Sequence, residues 1–161
     1  MRASFLLTGM MLFIPVALGI GRSGNGTTIE SKSGFEAKVP EFFEEFQPLA
    51  GERIRLVSFI REFRPGMNSQ LFLEFSSLGQ SLPAFASLDR ADLPVTLANL
   101  GWVKAEHADP CVDAYVQTTA STQVLAAFWG KGEGLVVVGP NSPNVKVALD
   151  SVRDSLQLKE K

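Results

Sequence analysis

The chain has 161 residues, 45% of them hydrophobic, with 15 Lys and Arg balanced by 17 Asp and Glu for a net charge of −2. Without a basic excess it lacks the electrostatic footprint by which nucleic-acid binders hold phosphates. With a single cysteine, Cys111, it cannot close an intramolecular disulfide, so its fold must rest on a core drawn from 12 Phe and abundant Val and Leu.

The amino-terminal stretch sets the compartment. Arg2 and Arg22 bracket 19 uncharged residues, Ala3 to Gly21, with an apolar centre from Leu6 to Leu18. A positive start, an apolar core and the small-x-small triplet Ala17-Leu18-Gly19 are the parts of a secretory signal. The alternative is a spanning helix of roughly 20 apolar residues, a length reached here only by counting Ser4, Thr8, Pro15 and several glycines. Both readings leave Arg2 on the cytoplasmic side and translocate the remainder of the chain. Residues 1–21 are therefore expected to be a signal peptide or a signal-anchor helix, touching the membrane through residues 3–21 if uncleaved. Residues 22–33, rich in Gly, Ser, Thr and Asn, are expected to be a flexible tether, and residues 34–158 a single domain. An odd cysteine in an exported chain suggests an intermolecular bridge or a free thiol. The commoner fate is burial as a small hydrophobe, and that is what is expected of Cys111.

Within the domain, Val39 to Gln47 reads as a short helix, with Pro40 at its start, Glu41, Glu44 and Glu45 on one side, and Phe42, Phe43 and Phe46 on the other; Pro48 stops it. Arg53–Phe63 fits both strand and helix periods. Its Ile, Val and Phe content and the Pro65-Gly66 turn favour a strand, paired with Gln70–Ser76 as an antiparallel hairpin. The outer face of that strand then carries Arg53, Arg55 and Arg61 beside Phe59 and Phe63. Such a face suits an anionic ligand, although solvated strand faces and edge protection are commoner uses of it.

Asp92-Leu93-Pro94 reads as the capped start of a helix that Gly101 ends. Residues 103–112 carry no clear pattern. Ala114–Ala120 and Thr122–Trp129 read as strands, and Val124–Trp129 meets Leu135–Val138 across a Gly-rich turn. Ser142 then caps a last helix whose Val145, Ala148, Leu149, Val152 and Leu156 form one apolar stripe directed at the sheet. The order helix, hairpin, helix, meander, helix predicts an α+β domain with a mainly antiparallel sheet covered by helices, sandwich-like.

Little chemistry can be placed on this frame. His107, Asp109, Cys111 and Asp113 recur at period two, a mixture that borderline metals such as zinc accept. Pro110 interrupts a regular ladder there, however, and Asp-Pro favours turns, so a polar turn outweighs a metal site. Cys111 and the sole histidine, His107, lack an orienting third group at any diagnostic spacing. The chain has neither a Gly-x-Ser-x-Gly elbow nor a His-Glu-x-x-His pair. Gly130-x-Gly132-x-Gly134 leads into a strand, not into a helix N-terminus that would cradle phosphate. No cofactor and no catalytic residue is assigned.

The segment Ser33-Gly34-Phe35-Glu36-Ala37-Lys38-Val39-Pro40, followed at the far end by strand, hairpin and helix, resembles the PsbP/DcrB-like group of exported accessory proteins across most of residues 33–158. Where that group usually has Trp after the Pro, this chain has Phe42 or Phe43. The resemblance implies an α/β/α sandwich around an antiparallel sheet and a role assisting a membrane-associated complex; it carries over no functional residue. The expectation is an exported, periplasmic or otherwise extracytoplasmic, non-catalytic accessory or assembly module with a membrane-associated protein partner. The alternative is a soluble small-ligand or lipid binder of the cell envelope, for which Arg53, Arg55, Arg61 and Phe59 are the candidate contacts.

Overall fold

A computed structural model describes residues 18–23, 26–31, 34–51, 53–64 and 67–159. In chain order the elements are β1 (Leu18–Ser23), β2 (Gly26–Ser31), β3 (Phe35–Val39), β4 (Phe43–Pro48), β5 (Ile54–Arg64) and β6 (Met67–Ser77), then α1 (Leu78–Ser81), α2 (Pro83–Ala86) and α3 (Leu93–Asn99). They are followed by β7 (Val103–Ala105), β8 (Asp113–Thr118), β9 (Thr122–Gly130), β10 (Glu133–Pro140), α4 (Pro143–Ser155) and β11 (Gln157–Leu158). Every strand pair among them is antiparallel. The fold is α+β, with one sheet ordered β4-β5-β6-β10-β9-β8-β7 and a smaller one ordered β1-β2-β3-β11.

Alternation along the strands divides the large sheet into two faces. Ile54, Leu56, Leu71, Leu73, Phe75, Leu125, Ala127, Leu135 and Val137 join α4 and the small sheet in one core. On the opposite face Tyr115, Ala126, Phe128 and Val136 pack under Leu78, Leu93, Leu97 and Trp102 from the α1–α3 region. The final helix follows its sequence pattern closely. Ser142 Oγ accepts from the Val145 N–H at 3.4 Å, and Val145, Ala148, Leu149, Val152 and Leu156 are all buried. Glu62 at the far end of β5 accepts from Ser142 Oγ and, at 3.2 Å, from Asn144 Nδ2, which puts a carboxylate at the positive end of this helix. The β9–β10 turn needs Gly132, whose φ of 72° lies where a Cβ is strained.

Several expectations are corrected. Pro40–Pro48 is not a helix: Glu41 and Phe42 turn, and Phe43–Pro48 pairs with β5. A helix this short is marginal on its own, whereas pairing satisfies the backbone and buries Phe43 completely. Residues 26–31 are not a tether but a strand between β1 and β3, because Thr27, Ile29 and Ser31 alternate into the core. Residues 18–21, expected within the apolar helix, pair as part of β1, while residues 1–17 lie outside the described residues. So do Pro65 and Gly66 of the expected hairpin turn and the side chain of Phe63. Asp92 precedes α3 without a side-chain capping bond. Among the described residues no helix is long and apolar enough to cross a membrane.

Candidate functional site

The hairpin register brings the expected arginines to a partner that the strand pattern alone did not name. Arg55 lies opposite Glu74 of β6. Arg53 donates to Glu74 Oε1 at 3.0 Å and Arg55 to Glu74 Oε2 at 3.1 Å, so one carboxylate holds two guanidinium groups. The Arg55 guanidinium also lies 4.7 Å from the centroid of the Phe72 ring, a cation–π arrangement. Its Nε is buried and has no hydrogen-bond partner among the described residues. The cluster keeps one net positive charge, and both arginine side chains are more than a third exposed. Each ion pair there contributes only about 0–1 kcal/mol to stability.

Next to this pair β5 carries a bulge. The strand advances from Val57 to Arg61 while β6 moves only from Phe72 to Gln70. Local partners satisfy the displaced backbone. The Phe59 N–H donates to the Phe42 carbonyl at 3.1 Å, the Ile60 N–H to Ser58 Oγ at 2.9 Å, and Gln70 Nε2 to the Ser58 carbonyl at 2.8 Å. The bulge is thus a hydrogen-bonded feature that re-aims a side chain. Phe59, expected on the outer face, is 61% exposed, and Arg61 is exposed beside it without a partner among the described residues. Arg53, Arg55, Phe59 and Arg61 therefore lie along one strand, as a cationic and aromatic surface. Arg and exposed aromatic side chains are the anchors most enriched at protein interfaces.

The second candidate group does not assemble. Among the described residues no three His, Cys, Asp or Glu side chains are placed to hold a metal ion. His107 Nδ1 lies 3.0 Å from the Asp109 N–H nitrogen and 3.3 Å from the Asp109 carbonyl oxygen, so the ring is tied to its own turn, and its Nε2 is a buried atom without a partner among the described residues. Asp109 Oδ1 accepts from the Cys111 N–H at 2.7 Å in an Asx-type turn. That turn leaves Cys111 exposed, not buried as expected, and gives the buried position to Val112. Asp113 belongs instead to an ion cluster: Arg90 Nε donates to Oδ2 at 2.7 Å, and Lys104 Nζ lies 3.4 Å from Oδ1.

Burial raises the Asp113 pKa, but the Arg90 and Lys104 charges outweigh it and hold the carboxyl below its ordinary range. The same bond to Asp113 raises the Arg90 guanidinium pKa. Tyr115, two residues further along β8, has a buried hydroxyl without a partner among the described residues, and its pKa is raised by burial and by the Asp113 charge. Lys104, Glu106, His107, Asp109, Pro110 and Asp113 line an open cleft of about 580 Å³. Elsewhere Val116, Gln123, Lys146, Leu149 and Arg153 line a groove of about 340 Å³ between α4 and the ends of β8 and β9.

Sequence reasoning missed Arg90 because it lies 23 residues from Asp113 and no spacing rule joins them. Glu74 was within reach, since the antiparallel register of the hairpin itself pairs it with Arg55. No family model, no curated protein and no solved structure matches this chain.

Proposed function

We propose that this chain is an exported, non-catalytic accessory or assembly module, and that it meets a membrane-associated protein complex through the Arg–Phe face of β5. The observation that carries the reading is the bulge. It holds Phe59 61% exposed beside cationic side chains, with its own backbone hydrogen bonds made. An exposed aromatic ring that no packing requirement explains, set among arginines, fits an acidic, partly apolar segment of a partner. The proposed α/β/α arrangement and the resemblance to the PsbP/DcrB-like group support the same role. So does the engagement of Asp109 and Asp113 in turn and ion-pair bonds that hold the loop before β8.

Crosslinking in intact cells, followed by affinity purification, tests the proposal. Wild-type protein should recover a stoichiometric membrane-associated partner, and a Phe59→Ala, Arg61→Glu double variant should lose it. A wild-type protein that recovers none, or a double variant that recovers the same partner, overturns the reading.

The 340 Å³ groove supports the second reading, a small-ligand or lipid binder of the envelope, because its size is within the range of ligand pockets and Val116 and Leu149 give it an apolar wall. Mass spectrometry of natively purified protein distinguishes the two readings: a small molecule released only on denaturation favours the second.

A further inference from the structure

β5 outruns its neighbour on one side only. Its pairing with β4 ends where Phe43 meets Ser58, whereas its pairing with β6 runs on through Arg61 opposite Gln70 to Arg64 opposite Met67. Among the described residues no strand pairs with Ile60–Arg64 on the side away from β6. The sheet margin therefore has a notch beside Ile60–Arg64, about 17 Å of extended chain. The Glu41–Phe42 turn closes one end of it, because the Phe59 N–H donates to the Phe42 carbonyl at 3.1 Å.

Alternation decides what the notch offers. Backbone groups of successive strand residues point to opposite edges, and their side chains to opposite faces. The Phe59 N–H already points away from β6. Arg61 and Phe63 follow it at period two, so their N–H and C=O groups face the notch, while those of Glu62 and Arg64 face β6. The side chains keep the same rhythm. Ile60 packs against the core shared with α4, and Glu62 accepts from Ser142 and Asn144 at the start of that helix. Phe59 and Arg61 stand on the other face, both exposed. Glu62 thus ties the projecting end of β5 to the layer beside it and fixes the plane of the open margin.

Open strand margins are usually blunted by a charge, a proline or a bulge. Charge protection accounts for Arg61 but gives the exposed ring of Phe59 no purpose. Free backbone groups, a cation and an aromatic ring together suit strand addition, in which main-chain bonds supply affinity and alternate side chains supply specificity.

Resting on the partner reading above, we propose that the partner enters this notch as an added β-strand, in line with β4, and that its docking segment alternates acidic and apolar residues. Side chains on the Arg61 face meet an unpaired cation, which selects acids; those on the Ile60 face meet the margin of the core, which selects apolar groups. Glu41 is exposed in the turn that closes the notch and repels an acid there. The acidic residue therefore lies at the Arg61 end, with the Phe59 ring as an apolar wall for its stem.

Two substitutions at one outward-facing residue test the proposal. Proline is tolerated at an edge position whose N–H points away from the sheet. Phe63→Pro thus removes a notch donor along with the ring, and Phe63→Ala removes the ring alone. Under the crosslinking and affinity purification used for wild type, Phe63→Ala should keep the partner and Phe63→Pro should lose most of it, with similar melting temperatures. Hydrogen exchange of the wild-type chain needs no variant to fold. The Arg61 and Phe63 amides should exchange about tenfold or more slowly in the purified complex than in the free chain. Capture that does not differ between the two variants, or amides that exchange equally fast in both states, overturns strand addition and leaves the partner reading standing. A wild-type chain that recovers no membrane-associated partner overturns that reading itself, and with it the occupant of the notch.

Discussion

Glu74 and Asp113 each stand between two cations, and register places both on the α1–α3 side of the seven-stranded sheet. The pairing is alike, and the roles differ because of where the cations come from. Arg53 and Arg55 belong to the strand next to Glu74 or its entry, so that cluster links neighbours already joined by backbone bonds. Arg90 comes from the turn between α2 and α3, so its bond to Asp113 crosses from the helical layer to the sheet. Arg90 also donates to the Pro110 carbonyl at 3.2 Å and so holds the loop before β8. An ion pair between layers constrains architecture, whereas one within a single strand pair leaves its outer edge to display charge.

If the Asp113 end of that face is the structural one, the largest losses belong there. Leu97 is fully buried between α3 and the sheet. Leu97→Ala should cost about 2–5 kcal/mol through lost transfer energy and a residual cavity, read as a large fall in melting temperature. A variant that melts like wild type would show that α3 does not hold the layer. Asp113→Asn should cost less, about 1–2 kcal/mol, between the scale of a hydrogen bond to a charged group and that of an exposed ion pair, because Arg90 and Lys104 are both more than a third exposed.

The Asp113 effect has a defined sign with pH. The folded carboxyl titrates below its unfolded value, so its stabilisation is complete above the ordinary carboxylate pKa of about 4 and disappears as pH falls through the lower folded value. Chemical denaturation between neutrality and acid should therefore show a shallower acid limb in Asp113→Asn than in wild type. Parallel limbs would mean that the cluster does not couple to folding. Smaller still, and opposite in sign, is the expected effect of Tyr115→Phe. Removing a buried hydroxyl that has no partner among the described residues should leave stability unchanged or raise it by up to about 1 kcal/mol. A clear loss in the melting temperature would reveal that the hydroxyl has a role in holding β8.

The contrast also explains which parts were legible beforehand. Segments whose pattern is set by their own burial were readable: the α4 stripe from Val145 to Leu156, and the β9 and β10 runs covered on both faces. The Phe42–Phe46 segment was misread because i, i+1 and i+4 spacing of aromatics serves a turn entering an edge strand as well as a helix. Only the presence of β5 decides between them. Residues 26–31 show a similar limit: Gly, Ser and Thr content reads as a tether, while one fully buried Ile29 is enough to seat a strand. Of the candidate site, Arg53, Arg55, Phe59 and Arg61 were visible as strand-face residues. The bulge was not, because it arises from hydrogen bonds of Ser58, Gln70 and Phe42 that no periodicity records.

The smallest expected effect on stability is also the sharpest functional one. Phe59 and Arg61 are exposed, and surface substitutions away from caps and cores usually change stability by no more than about 0.5 kcal/mol. Phe59→Ala and Arg61→Glu should therefore melt with wild type while losing the crosslinked partner, Arg61→Glu the more so in low salt because it reverses a charge facing an acidic segment. Ser58→Ala separates display from identity. It removes the hydroxyl that accepts from the Ile60 N–H inside a fully buried site, and so loosens the bulge without touching Phe59 or Arg61. If the bulge matters because it aims Phe59, Ser58→Ala should weaken partner capture part of the way towards Phe59→Ala, with a measurable fall in melting temperature. If Phe59→Ala itself destabilises strongly, the ring packs against something in the folded chain, and the contrast between a displayed Glu74 cluster and a structural Asp113 cluster does not hold.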